Sequence, residues 1–296
     1  MDTRTPFRFG VVTSQAPSGS AWLDRARRVE ALGYDTLVMP DNVAAGLSVF
    51  PALAAAAAAT SRLRVGSYVL ANDFRHPVQV AKDAVALAVL SEGRFELGLG
   101  AGRPGADRDN AMLGLHWDDA GTRVSRLAES VSIIKRLVAG ATVTADGPHY
   151  RATEASVVPP GVEPPPVPVL VAARGPRMLD LAGREADIAA LGVPFDMDAE
   201  AVAGLAGRVR AAAGDRPVEL NLNLMAVGDA VPRFLAGRLD PAALAAAGSV
   251  CVVTGSAEEM AGQVRDRRER LGLSYLLVAD ELMEAFAPVV AILAGE

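Results

Sequence analysis

The stretch "ELGLGAGRPGADRDN", Glu96 to Asn110, places Gly100, Gly102 and Gly105 in the spacing G-x-G-x-x-G. Two folds use such a cluster differently. After the first strand of an open, doubly wound sheet it is the turn that cradles a dinucleotide pyrophosphate. After a later strand of a closed barrel it is a loop on the face where barrel active sites form. What surrounds the stretch decides between them.

Upstream, three strand–helix pairs already precede it. "FRFGVV" (Phe7 to Val12) reads as a strand. "SAWLDRARRVEALG" then sets Trp22, Ala26, Val29 and Leu32 on one helical face, with Gly33 as a stop. "DTLVMP" (Asp35 to Pro40) is a short buried strand followed by the alanine-rich helix "PALAAAAAAT". "LRVGSYVL" (Leu63 to Leu70) is a third strand, and "PVQVAKDAVALAVLSEG" (Pro77 to Gly93) opens with Pro and closes with Gly, as helices tend to. "RFELGLG" (Arg94 to Gly100) is therefore a fourth strand, not a first.

Downstream, two helices are expected, the second from about Asp119 to Val138. Residues 141–168 then break the rhythm with an Asp-Gly turn and six prolines in the last eleven residues. They read as an inserted hairpin and a proline-rich connector, with a domain linker as the alternative. Strands resume at "VPVLVAA", "ADIAAL", "VELNLNLMAV" and "SYLLVA" (Ser274 to Ala279). Helices follow the first two, and the capping-box helix "SAEEMAGQVRDRRERLG" precedes the last. The helix "ELMEAFAPVVAILAG" closes the chain. Eight apolar strands alternating with helices predict a single (β/α)8 TIM barrel over residues 1–296, with 141–168 as an excursion. An open doubly wound sheet is the competing architecture.

On this frame the dinucleotide reading weakens. Pro104 interrupts the motif, and the acidic residue expected about 20 positions on is not evident, since "GTRVSRLAES" lies in a predicted helix. In a barrel, the same glycines let a flat ring approach the backbone, or simply make a tight turn. A second candidate is "AARGPRM" (Ala172 to Met178), where Gly175 caps a helix and Pro176 takes its first position. Free N–H groups there favour an anion, and Arg174 and Arg177 add charge. A capped helix with solvated arginines is the plainer alternative.

The formal charge of −6 and pI near 5.2 argue against nucleic acid or an anionic membrane as partner. The single Cys251 fits a reducing, cytoplasmic setting, and three scattered histidines give no metal-ligand pattern. Residues 1–10 carry charge and no signal-like apolar run, and the longest apolar run, Phe50 to Thr60, is too short to span a bilayer.

"FRHPVQVAKDAVALAVLSEGRFELGLGAG" (Phe74 to Gly102), "VLVAARGPRMLDLAGREADI" and "VTGSAEEMAGQVRDRRERLGLSYLLV" together resemble the luciferase-like monooxygenase superfamily. The likeness runs in order along nearly the whole chain and leans towards actinobacterial members using coenzyme F-420, a 5-deazaflavin. It implies Asp41 beside the cofactor ring at the end of strand two, with Asn42 where several relatives carry histidine. It implies a non-prolyl cis peptide near Tyr68–Val69, with Tyr68, Val69 and Leu70 behind the ring. Gly100, Ala101 and Gly102 would lie beside the ring or ribityl chain, with Arg103 where some sugar-phosphate dehydrogenases have glutamate. Ala173, Arg174, Gly175, Pro176 and Arg177 would hold the phosphate. Asp41, Asn42 and Arg103 are thus the candidate catalytic residues, though Asn42 cannot shuttle a proton.

The expected function is hydride transfer between reduced deazaflavin and a small organic substrate. An FMN-dependent monooxygenase using oxygen is the alternative, and a flavin-binding barrel without turnover is the second. The loops after strands one, two, four and seven are expected to line the substrate pocket, with the small residues of Thr13 to Ser20 and Asp41 to Val49 at a roomy entrance. A homodimer is left open.

Overall fold

The structure, a computed structural model, describes residues 6–103 and 105–296. The charged start of the chain at 1–5 and the motif interruption at Pro104 lie outside the described residues. Eight parallel strands form the barrel: β1 (Arg8–Val12), β2 (Thr36–Met39), β3 (Arg64–Ser67), β4 (Phe95–Gly100), β5 (Val169–Ala173), β6 (Ile188–Leu191), β7 (Glu219–Leu224) and β8 (Leu273–Ala279). Each pairs with its neighbours in sequence, β8 pairs with β1, and β3 pairs with β4 through Val65–Phe95 and Gly66–Glu96. The sheet is closed, so the open-sheet alternative falls.

The helices are α1 (Gly19–Ala31), α2 (Val49–Ala58), α3 (Pro77–Leu90), α4 (Asp107–Met112), α5 (Ala120–Val138), α6 (Pro176–Glu185), α7 (Ala199–Ala213), α8 (Pro241–Ala246), α9 (Ala257–Leu271) and α10 (Met283–Leu293). Their starts follow from the sequence. Ser256 and Glu259 close a reciprocal capping box on α9, Asp119 accepts two N–H groups at the start of α5, and Pro176 occupies the first turn of α6. Residues 143–155 form an antiparallel hairpin, Val143–Asp146 against Arg151–Ala155, as the break in rhythm predicted. No helix among the described residues is long and apolar enough to cross a membrane.

Strand alternation splits the core in two. Val38, Leu170, Ile188, Tyr275 and Leu277 fill the barrel interior. Val11, Leu37, Val171 and Leu276 face outward and pack under the helices. At the N-terminal end of the barrel, Arg8 pairs with Glu219 at 2.6 Å and with Glu96, and Arg64 reaches Glu96 at 2.6 Å. These residues at the starts of the strands plug the floor and leave the C-terminal mouth as the open end.

Candidate functional site

β3 stops at Ser67, the Tyr68–Val69 peptide is cis, and the strand rejoins β4 at Leu70 and Ala71. Ser67 bridges the gap: its Oγ accepts from Gly98 N at 2.8 Å and donates to Gly98 O at 2.9 Å. This explains two glycines of β4. A Cβ on Gly98 would stand 2.1 Å from the Ser67 carbonyl, and one on Gly100 would stand 2.7 Å from Val69 Cγ2. Gly102 and Gly105 serve the turn instead, at φ +88° and +85°. The glycine spacing that mimics a dinucleotide motif thus arises from two separate needs, close strand packing and a tight turn.

At the mouth, the ends of β2 to β6 line a cleft of about 410 Å³. Its lining includes Asp41, Asn42, Tyr68, Val69, Leu70, Gly100, Ala101, Gly102, Arg103, Ala173 and Arg174. Segments 130 residues apart in sequence are thereby brought together. Gly175, Pro176 and Arg177 sit on the first turn of α6, outside the lining. Gly175 caps α6 with no side-chain partner, and a Cβ there would meet nothing within 4 Å. Arg174 and Arg177 are exposed, and neither has an ion-pair partner among the described residues.

Asp41 is more committed than its sequence position suggests. Arg75 holds both of its oxygens, at 2.6 and 3.2 Å, and the Ala71 N–H reaches Oδ2 at 3.2 Å. The pair is a fixed dipole on the cleft wall. Asn42 accepts from Arg103 at 3.2 Å, so those two cross the opening as a side-chain bridge. Tyr68 OH donates to Asn221 Oδ1 at 2.9 Å, and burial pushes its hydroxyl well above the usual tyrosine range. At neutral pH Tyr68 positions and does not titrate.

Sequence reading missed Asp109. It is 7% exposed, lines the cleft, and has no side-chain partner among the described residues. A second lobe of about 910 Å³ lies over the ends of β1, β7 and β8 and meets the first at Pro40; the loops after the first and seventh strands were expected to line the substrate pocket, and what sequence reading missed is the side supplied by β8. Thr13, Arg25, Asn223 and Asp280 belong to this lobe. The alternation Asn221-Leu222-Asn223 was the available signal for Asn223, since two polar residues at period two in a barrel strand share the inward face. Among the described residues no group of three or more His, Cys, Asp or Glu could hold a metal ion.

Comparison with known proteins fits this geometry. The sequence matches the luciferase-like monooxygenase family over residues 2–289. It is 38% identical over 167 residues to an F-420-dependent glucose-6-phosphate dehydrogenase from Beutenbergia cavernae, covering 53% of this chain and 48% of that one. The chain thus spans about half the length of the curated relatives it matches. An F-420-dependent secondary alcohol dehydrogenase superposes with a TM-score of 0.77 at 17% identity, over 96% of this chain and 99% of that one. The oxygenating constituent of 3,6-diketocamphane monooxygenase from Pseudomonas putida, in complex with FMN, superposes at 0.74 and 16% identity, over 99% of each chain. At these identities both structures speak to the fold.

Proposed function

Because the chain belongs to the luciferase-like monooxygenase family, we propose that it is a coenzyme F-420-dependent oxidoreductase acting on a small organic substrate. The observation that carries the reading is Arg174: an exposed cation at the N-terminus of α6, without an ion-pair partner among the described residues, at the edge of a cleft with an apolar floor. An anionic group on a flat, ring-bearing cofactor suits that pairing.

The residues divide the work. Val69, Leu70 and Ala101 offer a flat apolar wall to a ring. Gly175 and Arg177, just beyond the lining, extend the anion site of Arg174 along the first turn of α6. Asp109 offers an acceptor to a polyol hydroxyl. Asp41, neutralised by Arg75, contributes a fixed dipole, and Arg103 with Asn42 closes over the opening. A bound deazaflavin supplies the hydride acceptor or donor itself, and the barrel supplies orientation and exclusion of water. An anionic cofactor tail finds Arg103 at the rim, which favours F-420 over FMN. We read residues 1–296 as one domain of a cytoplasmic enzyme, with the lone Cys251 buried.

The test is titration of the purified protein with F-420 and with FMN, separately, followed by cofactor fluorescence. Tighter binding of F-420 is expected. Binding of FMN alone would favour an oxygen-using monooxygenase, and binding of neither would end the reading.

A further inference from the structure

The two lobes of the mouth differ in charge balance, and the difference bears on the substrate. The second lobe is lined by two arginines and two carboxylates. Arg25 donates to Asp280 at 2.5 Å, and also to Thr13 Oγ1 and Gln15 O. Arg233 pairs with Glu281 at 3.0 Å, and Glu281 also accepts the Arg233 backbone N–H at 2.8 Å. Swinging the Arg233 side chain away therefore leaves Glu281 in place. An incoming phosphate or carboxylate meets no net positive charge here. Arg103 and Arg174, which have no ion-pair partners among the described residues, belong to the first lobe. Much of the second lobe's remaining lining is apolar, including Val12, Leu224, Met225, Phe234 and Met283.

Among the described residues, Asn223 is a polar side chain of this lobe that lacks a hydrogen-bond partner. Asn221 is held by Tyr68 OH at 2.9 Å and by Tyr275 O at 3.1 Å. Asn223 lies two residues on, facing the same way one layer nearer the mouth. Its Oδ1 is buried without a partner, and no neighbour among the described residues holds its Nδ2. Rotation about χ2 turns either end of the amide towards the lobe: oxygen for a hydroxyl donor, nitrogen for a carbonyl acceptor. An alcohol and its ketone differ in that requirement.

We infer that the second lobe takes a neutral, largely apolar alcohol or ketone oriented by Asn223, and not a sugar phosphate. The inference rests on the hydride-transfer reading for the chemistry that links the pair. In the oxidising direction the carbinol C–H bond breaks with its electrons passing to the deazaflavin. The O–H proton leaves to water and the C=O bond forms, so the alcohol is oxidised as the deazaflavin is reduced.

Calorimetric titration of the protein, with and without F-420, tests this using 4-phenyl-2-butanol and glucose 6-phosphate as probes. The alcohol is expected to bind and glucose 6-phosphate not to bind at the same concentrations. Asn223→Ala is expected to weaken the alcohol about tenfold, the loss of one net hydrogen bond, with cofactor affinity unchanged. If that variant melts early, Asn223→Leu keeps the volume, removes both hydrogen-bonding ends and takes its place. Asp280→Asn frees Arg25 and is expected to make glucose 6-phosphate binding detectable. Glucose 6-phosphate binding the wild type as tightly as the alcohol, or an Asn223 variant binding the alcohol undiminished, overturns the inference. Alcohol binding without any F-420 or FMN binding would leave the lobe assignment standing and sink the cofactor reading. F-420 binding without alcohol binding would do the reverse.

Discussion

Arg174 and Arg177 lie on the same turn of chain, yet Arg174 lines the cleft and Arg177 does not. Replacing Arg174 by alanine is expected to weaken cofactor binding roughly ten- to a hundredfold, since a charge-assisted contact is worth about 1.5–3 kcal/mol. Arg177→Ala should cost far less, and fluorescence titration of both variants separates the two. Glycines divide just as sharply. Gly98→Ala puts a methyl 2.1 Å from the Ser67 carbonyl, so the melting temperature should fall steeply, beyond the about 1–3 kcal/mol usual for overpacking. Gly207→Ala, in the exposed face of α7 with nothing within 4 Å, should raise stability by about 0.5–1 kcal/mol. The sequence alone could place Asp41 at the end of a strand. It could not show that Arg75, 34 residues later, would hold both of its oxygens, because that pairing exists only once β2 and β3 lie side by side. Asp109 was hidden for the same reason: in sequence it is one of many acids, and burial singles it out.

At the scale of elements the reading was close, because each helix and strand carries its own punctuation. The span Pro176–Glu185 was bounded by Gly175 and by the return of apolar alternation, and α6 has those bounds. What local signals could not give was how one element secures another. Glu30 of α1 reaches the turn between α2 and β3, where its Oε1 accepts the N–H groups of Ser61, Arg62 and Leu63 at 2.9, 2.6 and 2.9 Å. Burial works against the charge, but the three donors outweigh it and hold the Glu30 carboxyl below the usual range. A depressed carboxyl contributes stability above its unfolded value, about 4.3, and loses it as the pH falls through the lower folded value. Glu30→Gln should therefore melt below the wild type at pH 7, by about 1–2 kcal/mol after allowance for solvent screening. The gap should close as the pH falls through that lowered folded value, and equal melting at pH 7 would count against the role given to these bonds.

For the molecule as a whole, eight alternations sufficed to foresee the barrel, since parallel strands need helical crossovers and a closed ring buries both faces of every strand. The second lobe of the mouth was foreseen only in part: the loops after β1 and β7 were expected to line it, and the one after β8 was not. It is built by loops after β1, β7 and β8, whose ends meet only through the β8–β1 and β7–β8 pairings. Taking residues 1–296 as one domain, calorimetry should show one unfolding transition. Two separable transitions divided near residue 160 would restore the linker reading of the proline-rich segment.

Barrel closure also governs how this protein behaves when crowded or partly unfolded. A ring of strands offers no unpaired backbone row on which a second chain could add itself. Among the described residues, the 143–155 hairpin is an exposed two-stranded sheet with free edges. Those edges carry Asp146, Arg151 and Glu154, with Arg151 and Asp146 ion-paired at 2.8 Å. Charges on a short hairpin discourage the intermolecular pairing that leads to aggregation, so the excursion that interrupts the barrel is also guarded against becoming a seed for fibrils.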